Sequence, residues 1–329
     1  MTPRPRTRSA ATRPPPSWPP SPRPAACAPP QWRSRLLPPD PTAEYRAFRD
    51  AAGAVELPRD FVRAAGPDVN PFLQGQLSQD LAGLGVGQST WALLLQPQGK
   101  VVALLRVLRV GDEELVLETD AGFGDAVIER LTRFKLRVKA DLDPLAWRCL
   151  AVRGPRSHEV VPAGVVADWP GLPGSDLVGE AVSTPEGVPL CSMEAYEAVR
   201  IEAGIPVMGR ELDESTIPEE AGVVQRSVSF TKGCYTGQEL VARIDSRGGN
   251  VPRRLRGVIL GEGAVPAGAA LEADGKEAGR ITSVAWSPGL GSTVALAYVR
   301  RAVEPPAEVV VTWDGGSAPA RVEALPLVP

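Results

Sequence analysis

The residues best suited to chemistry lie in one octapeptide, Lys232-Gly233-Cys234-Tyr235-Thr236-Gly237-Gln238-Glu239. Two glycines bracket a thiol and leave the backbone free to take positive φ and to press against a neighbouring group. If Gly237 opens a helix, Cys234 and Lys232 lie near its positive end, and a helix N-terminus and an ammonium both favour a thiolate. The competing reading is a small, buried, inert cysteine. Tyr235 reads either as a half-buried aromatic with a wet hydroxyl or as a wall of a ligand pocket.

A second candidate is Glu202. It falls in the last turn of an expected helix, Met193 to Ala203, closed by Gly204 and followed by Pro206. The C-terminal end of a helix carries partial negative charge, so a carboxylate there needs compensation. Either a cation such as Arg200 or Arg210 supplies it, or a ligand edge with paired N–H donors does, as the 2-amino and N3–H edge of a pterin would. Beyond the octapeptide, Arg243, Arg247, Arg253, Arg254 and Arg256 form a basic run, read as solvated surface or as attraction for the glutamate tail of a folate or an acidic partner.

Other chemistry is thinly provided. The one histidine, His158, follows a Gly-Pro turn and excludes most two-histidine metal sites. Cys27, Cys149, Cys191 and Cys234 are widely spaced without a C-x-x-C pair, which fits neither a disulfide framework nor a zinc cassette. No metal site is expected, and a reducing cytoplasm is the expected compartment.

The elements that must position these residues are mixed. Helical spacing is expected over Pro41 to Asp50, Asp68 to Leu81 and Asp125 to Phe134. Strands are expected at Phe61 to Ala65, Trp91 to Leu95, Val101 to Val110, Glu114 to Glu118 and Cys149 to Arg153. From Pro252 onward the pattern is strand only, with Asp-Gly turns at 274 and 314, as in a small barrel or sandwich. Strands joined mostly by turns argue for α+β, and no G-x-G-x-x-G or P-loop is present.

At 329 residues more than one packed unit is expected. Formal net charge is −3, but the stretch before Asp40 holds seven arginines and no acid, so the remainder stands at −10. That acidity lacks the electrostatic footprint of a nucleic-acid binder. No apolar run reaches the length of a membrane span, since Val101 to Val110 is broken by Arg106 and Arg109. Residues 1–39, rich in Pro and Arg, are expected to be a disordered tail.

The octapeptide resembles the K-G-C-Y-x-G-Q-E signature of the YgfZ family, folate-binding relatives of the glycine-cleavage T-protein linked to iron-sulfur protein maintenance. Supporting segments stand in order: Phe72 to Asp80, Pro97 to Val101, Arg200 to Pro206, Glu211 to Pro218, Ile281 to Ser283 and Ala295 to Arg300. The resemblance implies an α+β, T-protein-like ring of three domains with a discontinuous first domain (40–146 plus 193–251), a smaller second unit (147–192) and a C-terminal β-barrel (252–329).

It further implies tetrahydrofolate or a derivative as cofactor. Glu202 would hold the pterin, with Lys232, Gln76, Gln238 and Glu239 at the cofactor site, and Cys234, flanked by Lys232 and Tyr235, would be the reactive or cluster-contacting thiol. The implied partners are iron-sulfur assembly machinery or cluster-dependent enzymes. One departure from the T-protein stands out. Where that enzyme has an aspartate after its glycine turn, this chain reads Ala103-Leu104, which disfavours aminomethyl transfer. Gln79 also stands where the YgfZ family often has asparagine. The competing expectations are a folate-dependent transferase and a non-catalytic protein scaffold.

Overall fold

Asp40 fixes the start of the first helix, its carboxylate accepting from the backbone N–H groups of Thr42 (3.0 Å) and Ala43 (3.2 Å), with Pro41 at the first helical position. The computed structural model describes residues 40–329. The tail expected over 1–39 lies outside the described residues.

From that cap the chain forms α1 (Pro41–Asp50) and β1 (Gly53–Leu57). Strands β2 (Arg59–Ala65), β3 (Ser89–Leu95), β4 (Val101–Gly111), β5 (Glu114–Asp120) and β6 (Asp141–Leu145) follow, with α2 (Val69–Gln76) after β2 and α3 (Gly124–Thr132) after β5. They make a five-stranded antiparallel sheet in the order β3-β4-β5-β2-β6.

This sheet is buried on both faces, which explains why β4 reads as a nearly continuous apolar run. On one face Leu94, Ala103, Leu105 and Leu117 pack under α2 and α3 with Leu73 and Val127. On the other, Leu93, Leu95, Val101 and Leu104 meet Ile201, Val224, Tyr235 and Val241 from much later in the chain.

Next come β7 (Arg148–Arg153), α4 (Ser157–Val160), β8 (Val165–Val166) and β9 (Gly174–Gly179). The sheet they form is completed by β1, in the order β1-β7-β9-β8, so the unit expected over 147–192 takes an edge strand from before residue 58. Apolar burial along β1, broken only at Glu56, drives that pairing.

Then α5 (Met193–Ala203), α6 (Val224–Ser227) and α7 (Gln238–Asp245) lead into the last unit. Its strands β10 (Arg253–Gly261), β11 (Ala270–Ala273), β12 (Lys276–Ser287), β13 (Ser292–Arg300), β14 (Ala307–Trp313) and β15 (Gly316–Glu323) close into a six-stranded barrel around Val258, Leu271, Ala295 and Val311. The fold is the α+β, T-protein-like arrangement with a small C-terminal barrel.

Helix α2 stops at Gln76, shorter than the expected run to Leu81, because Leu77 turns extended and bridges Leu94. Helix α5 ends as expected, with Gly204 at φ +74°.

The two sheets are joined by charge. Cross-strand register places Arg106 opposite Glu118 and Arg59 opposite Asp120. Arg106 bonds Glu118 at 2.5 Å and Asp176 of β9 at 2.7 Å, and Arg153 bonds Asp176 at 2.5 Å, with Arg106, Arg153, Glu118 and Asp176 all buried. The Asp176 carboxyl is held below its ordinary range because Arg153 and Arg106 outweigh the opposing effect of burial.

Removing one member of such a network strands its partners in low dielectric. Asp176→Asn should therefore lower stability in urea unfolding by about 3 kcal/mol. The wild-type contribution is complete above the unfolded carboxyl's pKa of about 3.9 and fades as pH falls through the lower folded value, so the variant should lose less stability between pH 5 and pH 3.

Candidate functional site

Glu202 is fully buried, and the partners compensating its unfavourable helix-end position come from inside the protein. Tyr45 Oη donates to its two carboxylate oxygens at 3.0 and 3.1 Å, Ser287 Oγ donates at 2.5 Å, and Arg49 forms a salt bridge with it. The carboxylate expected to face a pterin is thus closed in by α1 and β12 and joins them to α5. Neither Arg200 nor Arg210 is its counter-ion. Arg200 is taken by Glu197 and Glu211, and Arg210 by Glu197.

The octapeptide is built around two contacts. Gly237 (φ +84°) packs against Gly99 (φ +78°) in the turn between β3 and β4. A Cβ on Gly237 would lie 2.6 Å from the Gln96 carbonyl oxygen, and one on Gly99 would lie 2.6 Å from Leu240 Cβ. Lys232 supplies the second contact, its Nζ donating to the carbonyls of Gln74 (2.5 Å), Leu77 (2.7 Å) and Gln79 (3.1 Å) at the end of α2. Burial pulls the Lys232 ammonium down to about 8, against the opposing charge of Asp80.

Lys232 therefore anchors the loop to α2 and faces none of the cavities described below. Tyr235 is buried in the shared core under Lys232, whose Nζ lies 5.3 Å from the ring centroid, and burial raises its phenol to about 12. Gln238 Oε1 accepts from the Tyr235 N–H at 3.1 Å, Gln76 Oε1 accepts from Thr236 Oγ1 at 3.5 Å, and Glu239 lies exposed in the first turn of α7.

Cys234 is exposed on this anchored loop. Cys149 and Cys191 are buried; burial raises both thiols, Cys191 to about 12. Among the described residues Cys234 is thus the thiol open to reaction. No group of three or more His, Cys, Asp or Glu side chains able to hold a metal occurs among the described residues. The basic run does not converge either, since Arg253 pairs with Glu220 and Arg254 with Glu219.

A cavity of a different composition lies where the two sheets, α5 and α6 meet. Its inner cleft is walled by Trp91, Leu104, Trp169 and Tyr196, and it shares Trp169, Ile205, Pro206 and Arg226 with an outer basin of about 310 Å³. The Trp169 and Tyr196 ring centroids are 5.4 Å apart. Guanidinium groups cover both tryptophans: Arg226 lies 5.1 Å and Arg106 5.8 Å from the Trp91 centroid, and Arg153 lies 4.5 Å from that of Trp169.

Sequence reasoning missed this cavity, because its walls come from segments scattered between Arg59 and Arg226. One signal was present: no acid stands between Glu220 and Glu239, so Arg226 has no local partner. The cavity also touches the octapeptide indirectly. Gln79 donates through its amide to the Arg226 carbonyl at 3.3 Å, while its own carbonyl accepts from Lys232.

Comparison with known proteins decides the family. A profile of the GCVT N-terminal domain matches residues 28–170, and one of the glycine cleavage T-protein C-terminal barrel domain matches residues 253–329. The chain belongs to the glycine-cleavage T-protein superfamily. Aminomethyltransferases of Streptomyces avermitilis and Thermus thermophilus are each 29% identical to it, covering 86% and 87% of this chain and 88% and 90% of theirs. An uncharacterized protein of Haemophilus influenzae is 26% identical over 57% of this chain and 67% of its own. The crystal structure of the glycine cleavage system aminomethyltransferase T of Bartonella henselae superposes with a TM-score of 0.75 at 22% identity, covering 88% of this chain and 89% of that one.

Against that T-protein background the cleft lacks a free carboxylate. Ala103 is buried beneath the sheet and Leu104 lines the cleft. The acids that do line it are engaged, Asp120 by Arg59 and Asp176 by Arg106 and Arg153. Asp176, held ionised by Arg153 and Arg106 against the effect of burial, is a poor proton acceptor. The inner cleft has room for only about 20 Å³, less than a fused ring needs, so a folate would lie in the outer basin of about 310 Å³, where Trp169 offers an aromatic border and Arg226 a cation for the anionic tail.

The anchor at Lys232 makes a testable prediction. Lys232→Met leaves three carbonyls without their charged donor and should cost about 1–3 kcal/mol at pH 7 in chemical unfolding. The ordinary lysine value is 10.5 and the folded one about 8. Between them the unfolded chain binds more protons, so this group makes stability rise with pH across that window, and the variant should lack the rise. Alkylation of the folded protein followed by peptide mapping should find Cys234 modified and Cys149 and Cys191 protected.

Proposed function

We propose that this T-protein relative binds tetrahydrofolate in the basin that adjoins the cleft between its two sheets and serves the assembly or repair of iron-sulfur proteins, without glycine-type aminomethyl transfer. The observation that carries this reading is the basin at the mouth of the cleft, bordered by Trp169 and an unpaired cation, Arg226, with the acids of the inner cleft bound to arginines. Bound tetrahydrofolate would supply one-carbon acceptor chemistry. Trp169 would orient its rings, and Arg226 would face its negative charge.

In this reading Glu202 acts at a distance from the ligand, tying α1 and the barrel to α5; a pterin at Glu202 would first have to displace Tyr45 and Arg49. The iron-sulfur role is supported by the unbroken Lys232 to Glu239 signature and by Cys234, a reachable thiol on a fixed loop. The site of action is then the cytoplasm, and the partners are cluster assembly factors or cluster-dependent enzymes, met at the Cys234 surface.

Calorimetric titration with tetrahydrofolate should show binding to the wild type and loss of about 10-fold or more in affinity for Trp169→Ala, in keeping with the 1–3 kcal/mol of a lost stacking partner. Glu202→Gln should lose more in thermal stability than in affinity. In cells lacking the native gene, Cys234→Ala should fail to restore activity of a cluster-dependent enzyme; full restoration would remove the thiol from the function. The relatives named aminomethyltransferase favour a second reading, a folate-dependent transferase. Rapid methylene-tetrahydrofolate formation from small amines would establish that reading in place of ours.

A further inference from the structure

The buried charges around the cleft balance except for one. Arg59, Arg106 and Arg153 are matched by Glu118, Asp120 and Asp176. Arg226, on the short helix α6, has no ion-pair or side-chain hydrogen-bond partner among the described residues, and its Nε is buried without an acceptor. Asp168 attracts it without forming a salt bridge and lies exposed at the rim of the outer basin. Burial consequently pulls the guanidinium down to about 10, a large fall for an arginine.

Burying a cation without a counter-ion is unfavourable, and proteins retain such arrangements where a ligand completes them. The surroundings define that ligand. Arg226 lines both the inner cleft and the outer basin, with one face covered by Trp91. A guanidinium with free N–H groups matches a carboxylate in two-point geometry, and the basin of about 310 Å³, bordered by Trp169, has room for a flat ring.

We propose that Arg226 is the counter-ion for a carboxylate of the bound ligand, holding the anionic end at the junction of cleft and basin while an aromatic ring lies against Trp169 in the basin. This rests on the folate reading for the most direct source of that carboxylate, the benzoylglutamate end of tetrahydrofolate. A small free amino acid bound beside the folate is the other source of the same chemistry.

The test is calorimetric titration of the full chain, as wild type, Arg226→Gln and Arg226→Lys, with four probes: tetrahydrofolate, 6-methyltetrahydropterin (which lacks a carboxylate), p-aminobenzoylglutamate and glycine. The wild type should bind tetrahydrofolate at least about 10-fold more tightly than the pterin, as expected for a charge-assisted bond of 1.5–3 kcal/mol. Arg226→Gln should erase that preference by weakening tetrahydrofolate and p-aminobenzoylglutamate alone, with Arg226→Lys intermediate. Loss confined to glycine would support the assignment with the amino acid as source.

Equal binding of every probe by wild type and Arg226→Gln overturns the assignment and leaves the folate reading standing. Wild-type protein that binds neither tetrahydrofolate nor the pterin overturns the folate reading, and the glycine arm then decides Arg226, absence of glycine binding counting against it. Thermal unfolding gives a separate readout. Removing an unpaired, half-buried cation should raise the melting temperature of Arg226→Gln, whereas a purely structural arginine would lower it; a lowered value with unchanged affinities also overturns the proposal.

Discussion

Six buried or half-buried charges hold the centre of this protein together. Arg59, Arg106 and Arg153 meet Glu118, Asp120 and Asp176 where the five-stranded and four-stranded sheets face each other. Such a network is a weak source of net stability, because desolvation consumes most of the attraction, but it is demanding in geometry. Its members must sit opposite one another. The antiparallel registers of β2, β4 and β5 do this, placing Arg59 across from Asp120 and Arg106 across from Glu118. A slip of one residue in either pairing would send the charged side chains of the slipped strand to the other face of the sheet, away from their partners.

The same network decides what the cleft can do. With each acid of the inner cleft bound to an arginine and Asp168 left at the outer rim, the cleft offers surfaces and positive charge in place of a proton acceptor, and Ala103-Leu104 supplies none. The tryptophans on either side are drawn into the arrangement through the guanidinium groups lying over their rings. Packing, charge and ligand preference are therefore consequences of one set of residues.

Much of the framework was legible in the chain. Helix α5 was marked by its Gly204 stop and Pro206, and the barrel strands by apolar runs between Asp-Gly turns, because these signals are local. The octapeptide was equally visible. The partners of its residues were not, since Lys232 reaches carbonyls at the end of α2 and Glu202 reaches α1 and β12, contacts that depend on tertiary approach. Glu202 was rightly singled out as a carboxylate needing compensation, but nothing nearby in sequence pointed to Arg49. The cleft was hidden for the same reason, being assembled from β3, the turn after β8, α5 and α6.

The contact between Gly99 and Gly237 makes two distant stretches of sequence into one object. Each glycine presses where the other's side chain would have been, so the hairpin turn and the thiol loop have a shared outline that neither encodes alone. Transplanting the octapeptide into another T-protein scaffold would carry the letters but not the shape, unless the turn between β3 and β4 travelled with it. The heritable unit of this site is the pair of segments, and a signature read from either one alone describes half of it.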